Sequence, residues 1–403
     1  MYYVLNNEEM KKLALELHQR SPGKLEVKSK VTIKNKEDLS LAYSPGVAEP
    51  CREIAANSEK VWQYTNRGNN VAVVTDGSAV LGLGNIGAQA AMPVMEGKAV
   101  LFKEFANIDA FPLCVNTQNV DEIVRIVKGT EATWGGINLE DISSPRCIEI
   151  ERRLKEETDI PIFHDDQHGT AIVATAALIN SLKLVNKKIE DVRIVVNGSG
   201  AGGIATAKLL MDMNCGDLIL CDSRGIIHKG RRQGMNWIKE EMAERTNQDN
   251  ITGDLARAME GADVFLGLSV PDSVTKEMVV SMNRDPIIFA LANPVPEIYP
   301  HLAQEAGAKV VGTGRSDFPN QINNVLAFPG ILRGALDVQA KDINEDMKIA
   351  ASQAIAELIP PANLRQDYVI PDAIDKKIAK TVARAVAKAA IDSGLNRKDI
   401  NSI

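Results

Sequence analysis

Two hydrophobic rhythms open the chain. Residues 7–20 place Met10, Leu13, Ala14 and Leu17 on one face, which predicts an amphipathic helix. Residues 25–33 switch to period two. Leu25, Val27, Val31 and Ile33 point one way, and Glu26, Lys28, Lys30 and Thr32 the other, which predicts a half-buried strand. The apolar run 71–75 reads as a buried strand entering a glycine-rich turn, from Asp76-Gly77-Ser78 through Gly82-Leu83-Gly84-Asn85-Ile86-Gly87. Strands are predicted at 111–115 and 160–163, and helices at 121–133 and 145–158.

From residue 170 strand and helix alternate more regularly. Helices are predicted over 170–184, 205–213, 237–245, 276–282 and 299–306, with strands over 193–197, 218–221, 263–268, 287–291 and 309–312. Repeated βα units of this length imply an α/β protein with a parallel, doubly wound sheet. After residue 324 the pattern turns helical, and 371–393 reads as a final helix closed by Gly394.

Composition narrows the class. At 403 residues the chain suggests two domains, and 45% apolar with 25% charged residues is ordinary for a globular protein. A net charge of −7 argues against nucleic acid or an anionic membrane as partner. No basic, apolar leader opens the sequence, and no apolar run approaches membrane-spanning length. Cys51, Cys114, Cys147, Cys215 and Cys221 form no Cys-x-x-Cys pair and read as reduced thiols in a cytoplasmic protein.

Gly198-Ser199-Gly200-Ala201-Gly202-Gly203 follows a β-branched strand and precedes a helix. Such glycines permit a tight turn and let a pyrophosphate approach the helix N-terminus. Asp222, at the end of the next strand, suits the ribose hydroxyls of NAD, whereas Arg224 suits the 2′-phosphate of NADP. Asp165-Asp166 and Glu140-Asp141 each sit at or just after a predicted strand, so the pairs converge if those strands are neighbours. All-oxygen ligands fit Mg²⁺ or Mn²⁺. Acids at strand ends also serve as solvated groups or helix caps, and spacing alone does not separate these readings. His164 and His168 mimic a zinc-hydrolase spacing, but Gly169 and the extended approach through Phe163 place them instead beside a site or in the core.

Taken together, these residues resemble the malic enzyme family in its short bacterial form, over nearly the whole chain. The likeness rests on residues 42–48 (Ala-Tyr-Ser-Pro-Gly-Val-Ala), Thr75-Asp76-Gly77 with Leu81-Gly82-Leu83-Gly84, Gly97-Lys98, Glu140-Asp141, residues 165–170, Ala292-Asn293-Pro294, and residues 314–324. It implies oxidation of L-malate to pyruvate and carbon dioxide with NAD, or NADP, and a divalent metal. By the same likeness Glu140, Asp141 and Asp166 ligate the metal, Lys98 takes the hydroxyl proton, Tyr43 protonates carbon 3, and Asp165 sits beside the metal and tunes Lys98. Asn293 and Asn324 hold the substrate, Asn293 also near the nicotinamide, while Thr170 and residues 198–203 belong to the nucleotide. Longer relatives carry an arginine where this chain has Ser78, so the group that meets the malate 1-carboxylate stays open. A lysine acts as a base only with a depressed pKa, from burial or a nearby cation.

The expected organisation is a catalytic domain, residues 1–164 completed by the helices of 324–403, and a Rossmann-like nucleotide domain, residues 165–323. The resemblance implies a homodimer or larger homo-oligomer. An oxaloacetate decarboxylase or another hydroxy-acid dehydrogenase fits the same scaffold, and so does a non-catalytic nucleotide-binding protein.

Overall fold

The computed structural model describes residues 7–80 and 82–398. The first six residues, Leu81 of the glycine-rich turn, and residues 399–403 lie outside it. Among the described residues ten strands form two sheets. The first holds β1 (Asn70–Thr75), β2 (Asp109–Cys114), β3 (Gly136–Leu139) and β4 (Ile162–His164), in the order β2-β1-β3-β4, all parallel. The second holds β5 (Ile194–Asn197), β6 (Leu218–Asp222), β7 (Gly225–Ile226), β8 (Val264–Gly267), β9 (Ile287–Ala290) and β10 (Val310–Thr313). Its order is β10-β9-β8-β5-β6-β7, parallel except for β7. The chain runs outward from β5 to β6 and then returns to β8 on the other side. The strand order therefore reverses at β5, where a doubly wound sheet opens a crevice at its carboxyl edge.

Most strand positions are fully buried, as expected of parallel sheets covered on both faces. One continuous apolar core joins the two sheets. The Asp165–Val185 helix packs against the Ala201–Asp212 and Glu345–Glu357 helices. The Phe328–Asp337 helix packs against Lys377–Asp392 and against Ala88–Ala106. A smaller core fills the other face of the second sheet around Phe265 and Met259.

Four expectations are corrected. Residues 25–33 form no strand, and their apolar side chains are exposed, Val27 at 89%. The last helix spans Lys377–Asp392 rather than 371–393, because the stretch from Pro371 is consumed in turns. One helix, Asp165–Val185, is after all long and apolar enough to cross a membrane, although 67% of that window is buried inside the protein as core. It also begins at Asp165 rather than 170, so both carboxylates occupy its first turn. Gly169 sits inside it for a steric reason: a Cβ there would overlap Asp165 Oδ1 and lie 2.9 Å from Asp165 Cγ.

The Ala88–Ala106 helix carries Lys98 and was not foreseen. Pro93 inside it removes a backbone donor and breaks the helical pattern.

Candidate active site

Strand register builds the site. Leu139 of β3 pairs with His164 of β4, and Val74 of β1 pairs with Leu139. The residues that follow, Glu140-Asp141 and Asp165-Asp166, therefore leave one edge of the sheet side by side. Ligand oxygens of Glu140, Asp141 and Asp166 lie within 4.8 Å of one another. Asp141 adopts φ 53°, a region non-glycine residues seldom enter, while its N–H donates to Asp166 Oδ2 at 2.7 Å. Asn138 Nδ2 holds Glu140 Oε2 at 2.8 Å.

This packing of acids is electrostatically unfavourable without a cation. Burial, then repulsion from Asp166, pushes the Asp141 carboxyl up to about 7. Glu140 is also raised well above its ordinary range, first by burial, with Lys98 opposing and the neighbouring acids reinforcing. Asp141 Oδ2 and Asp165 Oδ1 are buried without any hydrogen-bond partner. Orphaned, hard, anionic oxygens of this kind fit Mg²⁺ or Mn²⁺. Neither histidine belongs to the cluster. His164 meets Asp166 Oδ2 at 3.2 Å through Nε2 and Gln167 Nε2 at 2.7 Å through Nδ1; His168 meets Glu151 at 2.8 Å.

Lys98 Nζ donates to Asp165 Oδ2 at 2.6 Å, lies 2.9 Å from Glu140 Oε1, and stands 4.1 Å from the centre of the Phe328 ring. Burial would lower its pKa, but Asp165 and Glu140 outweigh burial and hold the ammonium well above its ordinary range. Asn324 Nδ2 donates to the same Asp165 Oδ2 at 3.2 Å, and Thr170 Oγ1 donates to Asn324 Oδ1 at 3.2 Å.

The glycine loop adjoins this cluster. Gly198 has φ 121°, where a side chain would strike the Leu268 carbonyl. A Cβ at Gly203 would strike the Gly198 carbonyl. Gly200 faces open space. Gly202 closes the gap to the carboxylates, its Cβ direction lying 3.1 Å from the Asp166 carbonyl and 3.5 Å from Thr170 Cγ2. Ala201 opens the following helix, with Gly200 as its cap, and Ser199 is buried at the turn.

Three anticipated residues stand apart. Asp222 is ion-paired: Arg231 Nη2 reaches its two oxygens at 2.7 and 2.6 Å, and Lys239 Nζ reaches Oδ2 at 2.6 Å. Burial opposes its ionisation, but these cations hold its pKa below the usual range. Asn293 is exposed in the loop after β9, its Nδ2 3.4 Å from the Leu291 carbonyl. Tyr43 is 71% exposed and bonds to none of the cluster among the described residues.

Supporting residues escaped the sequence reading. Glu297 is fully buried and accepts from the N–H groups of Ser269 and Ala292 at 3.0 Å each, which props the loop that carries Asn293. Arg146 ties the turn after β1 together, donating to Asp76 Oδ2 at 2.9 Å, Ser78 Oγ at 2.9 Å and the Gln118 carbonyl at 2.6 Å. Both charges are committed to backbone groups or neighbouring polar side chains, a role that leaves no spacing signature.

A cation-seeking cluster within contact of a dinucleotide loop is the arrangement of a metal-assisted dehydrogenase acting on a small, oxygen-rich substrate. Residues 22–155 match the malic enzyme N-terminal domain and residues 167–391 the malic enzyme NAD-binding domain. The chain is 62% identical to the bifunctional malic/malolactic enzyme of Bacillus subtilis, over 95% of this chain and 94% of that one. It is 53% identical to the NAD-dependent malic enzyme of Geobacillus stearothermophilus, covering 94% and 78%. The crystal structure of the NAD-dependent malic enzyme of Thermotoga maritima superposes with a TM-score of 0.90 at 50% identity, covering 93% and 98%. This chain belongs to the malic enzyme family.

Proposed function

We propose that this chain oxidatively decarboxylates L-malate to pyruvate and carbon dioxide, reducing NAD, with NADP as an alternative acceptor. The observation that carries the reading is Lys98 Nζ, held 2.6 Å from Asp165 and 2.9 Å from Glu140, with Gly202 of the glycine loop against the Asp166 backbone carbonyl and Thr170 of the same helix. Glu140, Asp141 and Asp166 would hold the divalent cation. That cation supplies Lewis acidity at the carbon 2 oxygen, and the nicotinamide supplies the hydride acceptor.

The chain's own groups do the rest. A cation held by Glu140, Asp141 and Asp166 would offset the carboxylate charge that keeps Lys98 protonated, and Lys98 Nζ would then take the hydroxyl proton. Asp165 orients that nitrogen, and Asn324 and Thr170 orient Asp165 or reach substrate and nucleotide in turn. Asn293 serves substrate and nicotinamide from the rim. Gly198, Ser199, Gly200, Ala201, Gly202 and Gly203 receive the pyrophosphate, and Asp222 lies toward the ribose. Tyr43 returns a proton to carbon 3. Residues 1–164 with 324–403 form the catalytic unit and 165–323 the nucleotide unit, in a homodimer or larger homo-oligomer.

Rates with NAD and with NADP, in Mn²⁺ before and after EDTA, test this when pyruvate and lactate are both quantified. EDTA-sensitive turnover with equal reduced cofactor and pyruvate is expected. Reduced cofactor without pyruvate would overturn decarboxylation. Lactate without net reduced cofactor would instead mark the malolactic reaction named for the Bacillus subtilis relative.

A further inference from the structure

A run of buried polar side chains stands behind the acid cluster, where apolar side chains of similar volume would often be no less stable. His164, Gln167 and Glu151 are all buried, and they are joined in series. His164 Nε2 lies 3.2 Å from Asp166 Oδ2. Gln167 Nε2 lies 2.7 Å from His164 Nδ1 and 3.0 Å from Glu151 Oε2. His168 Nε2 meets the two Glu151 oxygens at 2.8 and 2.9 Å. His164 caps the Asp165–Val185 helix and Gln167 sits in its first turn, whereas Glu151 comes from the Arg146–Glu157 helix. The run therefore ties the metal-site turn to a second helix that carries no group of the cluster.

The order of donors and acceptors is fixed from the far end. Burial opposes ionisation of Glu151, but His168 outweighs it and holds the carboxyl well below the usual range. An ionised carboxylate only accepts, so the part of the Gln167 amide that faces it is the NH₂. The same nitrogen faces His164, and its second hydrogen is donated to Nδ1. Turning the amide over would set its oxygen 3.0 Å from a carboxylate oxygen. Nδ1 is therefore the acceptor of the ring, and Nε2 carries the proton that goes to Asp166 Oδ2. The charge of Asp166 favours a second ring proton, but that proton would sit on Nδ1 and point at an amide N–H donor 2.7 Å away.

Asp166 Oδ2 thus receives two donors, the His164 Nε2–H and the Asp141 N–H at 2.7 Å. Its other oxygen, Oδ1, receives no hydrogen bond among the described residues. The carboxylate is clamped by one oxygen and presents the other.

We propose that Glu151 and Gln167 are positioning residues for the divalent cation: acting through His164, they lock Asp166 so that Oδ1 is its ligating oxygen. Neither touches the cation or the substrate. The inference rests on the reading of Glu140, Asp141 and Asp166 as the metal site.

Mn²⁺ binding to the full chain, measured by calorimetry without malate, tests the relay independently of turnover. Gln167→Met keeps the length and burial of the side chain and removes its donors, so the Mn²⁺ Kd should rise roughly 10- to 100-fold. Glu151→Gln keeps an acceptor oxygen for Gln167, and its Kd should stay within about threefold of wild type. The double variant Glu151→Gln/Gln167→Glu conserves charge, size and the bond between these two positions, yet presents an oxygen to His164 Nδ1. The ring proton is then drawn to Nδ1, and Mn²⁺ binding should weaken as in Gln167→Met. In malate-dependent NADH formation the loss should appear in the Mn²⁺ concentration for half-maximal rate rather than in kcat. General damage would instead lower Tm and NAD affinity together. Wild-type Mn²⁺ affinity in Gln167→Met or in the double variant overturns the proposal, and so does a Glu151→Gln variant as weak as Gln167→Met. If Gln167→Met fails to fold, the double variant decides. Asp166→Asn tests the underlying reading separately: Mn²⁺ binding that survives it removes Asp166 from the metal site, whatever the relay variants do.

Discussion

Gly169→Ala sets two effects of opposite sign against each other. In an ordinary helix interior, alanine in place of glycine stabilises by about 1 kcal/mol, because glycine loses more backbone freedom on folding. At residue 169 a Cβ overlaps Asp165 Oδ1, lies 2.9 Å from Asp165 Cγ and comes within 3.2 Å of Asn324 Cγ. The helix backbone cannot yield without breaking its own hydrogen bonds, so the Asp165 side chain must turn. Turning it lengthens the 2.6 Å bond from Lys98 and the 3.2 Å bond from Asn324. A charge-assisted bond of this kind contributes about 1.5–3 kcal/mol. If that energy positions Lys98 for the proton, kcat falls on the order of 10- to 150-fold. The nucleotide loop contacts Asp166 and Thr170 rather than Gly169, so NAD affinity should stay within about twofold. The measurements are malate-dependent NADH formation, an NAD titration, and Tm. A variant with wild-type kcat would show that the geometry of Asp165 does not govern Lys98. A variant that loses NAD binding as well would show general damage to the helix.

Other consequences follow from the same charges. Asp141→Asn removes one of the mutually repelling acids and should stabilise the metal-free protein by on the order of 2 kcal/mol while abolishing Mn²⁺-dependent turnover; a lower Tm in EDTA would contradict the repulsion described here. Asp109 is held down to about 2, against the pull of burial, by Lys103, Asn69 and Asn66. Its stabilisation, about 1 kcal/mol after discounting for solvent, is fully present above the ordinary carboxylate pKa and lost as pH falls through about 2. Asp109→Asn should therefore lower stability at pH 7 and leave it unchanged near pH 1.5, as denaturant titrations at the two pH values would reveal. Lys239→Ala strips Asp222 of one of its two cations, so its charge should repel a 2′-phosphate more strongly. The NADP-to-NAD ratio of kcat/KM should drop about 2- to 10-fold, and an unchanged ratio would place Asp222 away from the ribose.

What the sequence disclosed and what it withheld divide along physical lines. The βα rhythm of residues 193–313 was legible because each strand is buried by the chain's own helices, so its apolar runs record contacts this chain makes alone. The pairing of Glu140-Asp141 with Asp165-Asp166 was legible only conditionally, since convergence depended on β3 lying beside β4, which no local pattern encodes. The Lys98 helix was hidden by Pro93. On Lys98 burial and neighbouring carboxylates act in opposite directions, and the distances that decide between them are not written in the sequence.

Residues 25–33 differ in kind from these errors. Their alternation is genuine, and the single chain gives it no partner. A hydrophobic pattern is selected in the form that functions, and an apolar face left in water both costs solubility and invites aggregation. The period-two pattern of residues 25–33 is a face that the described residues neither pair with nor bury.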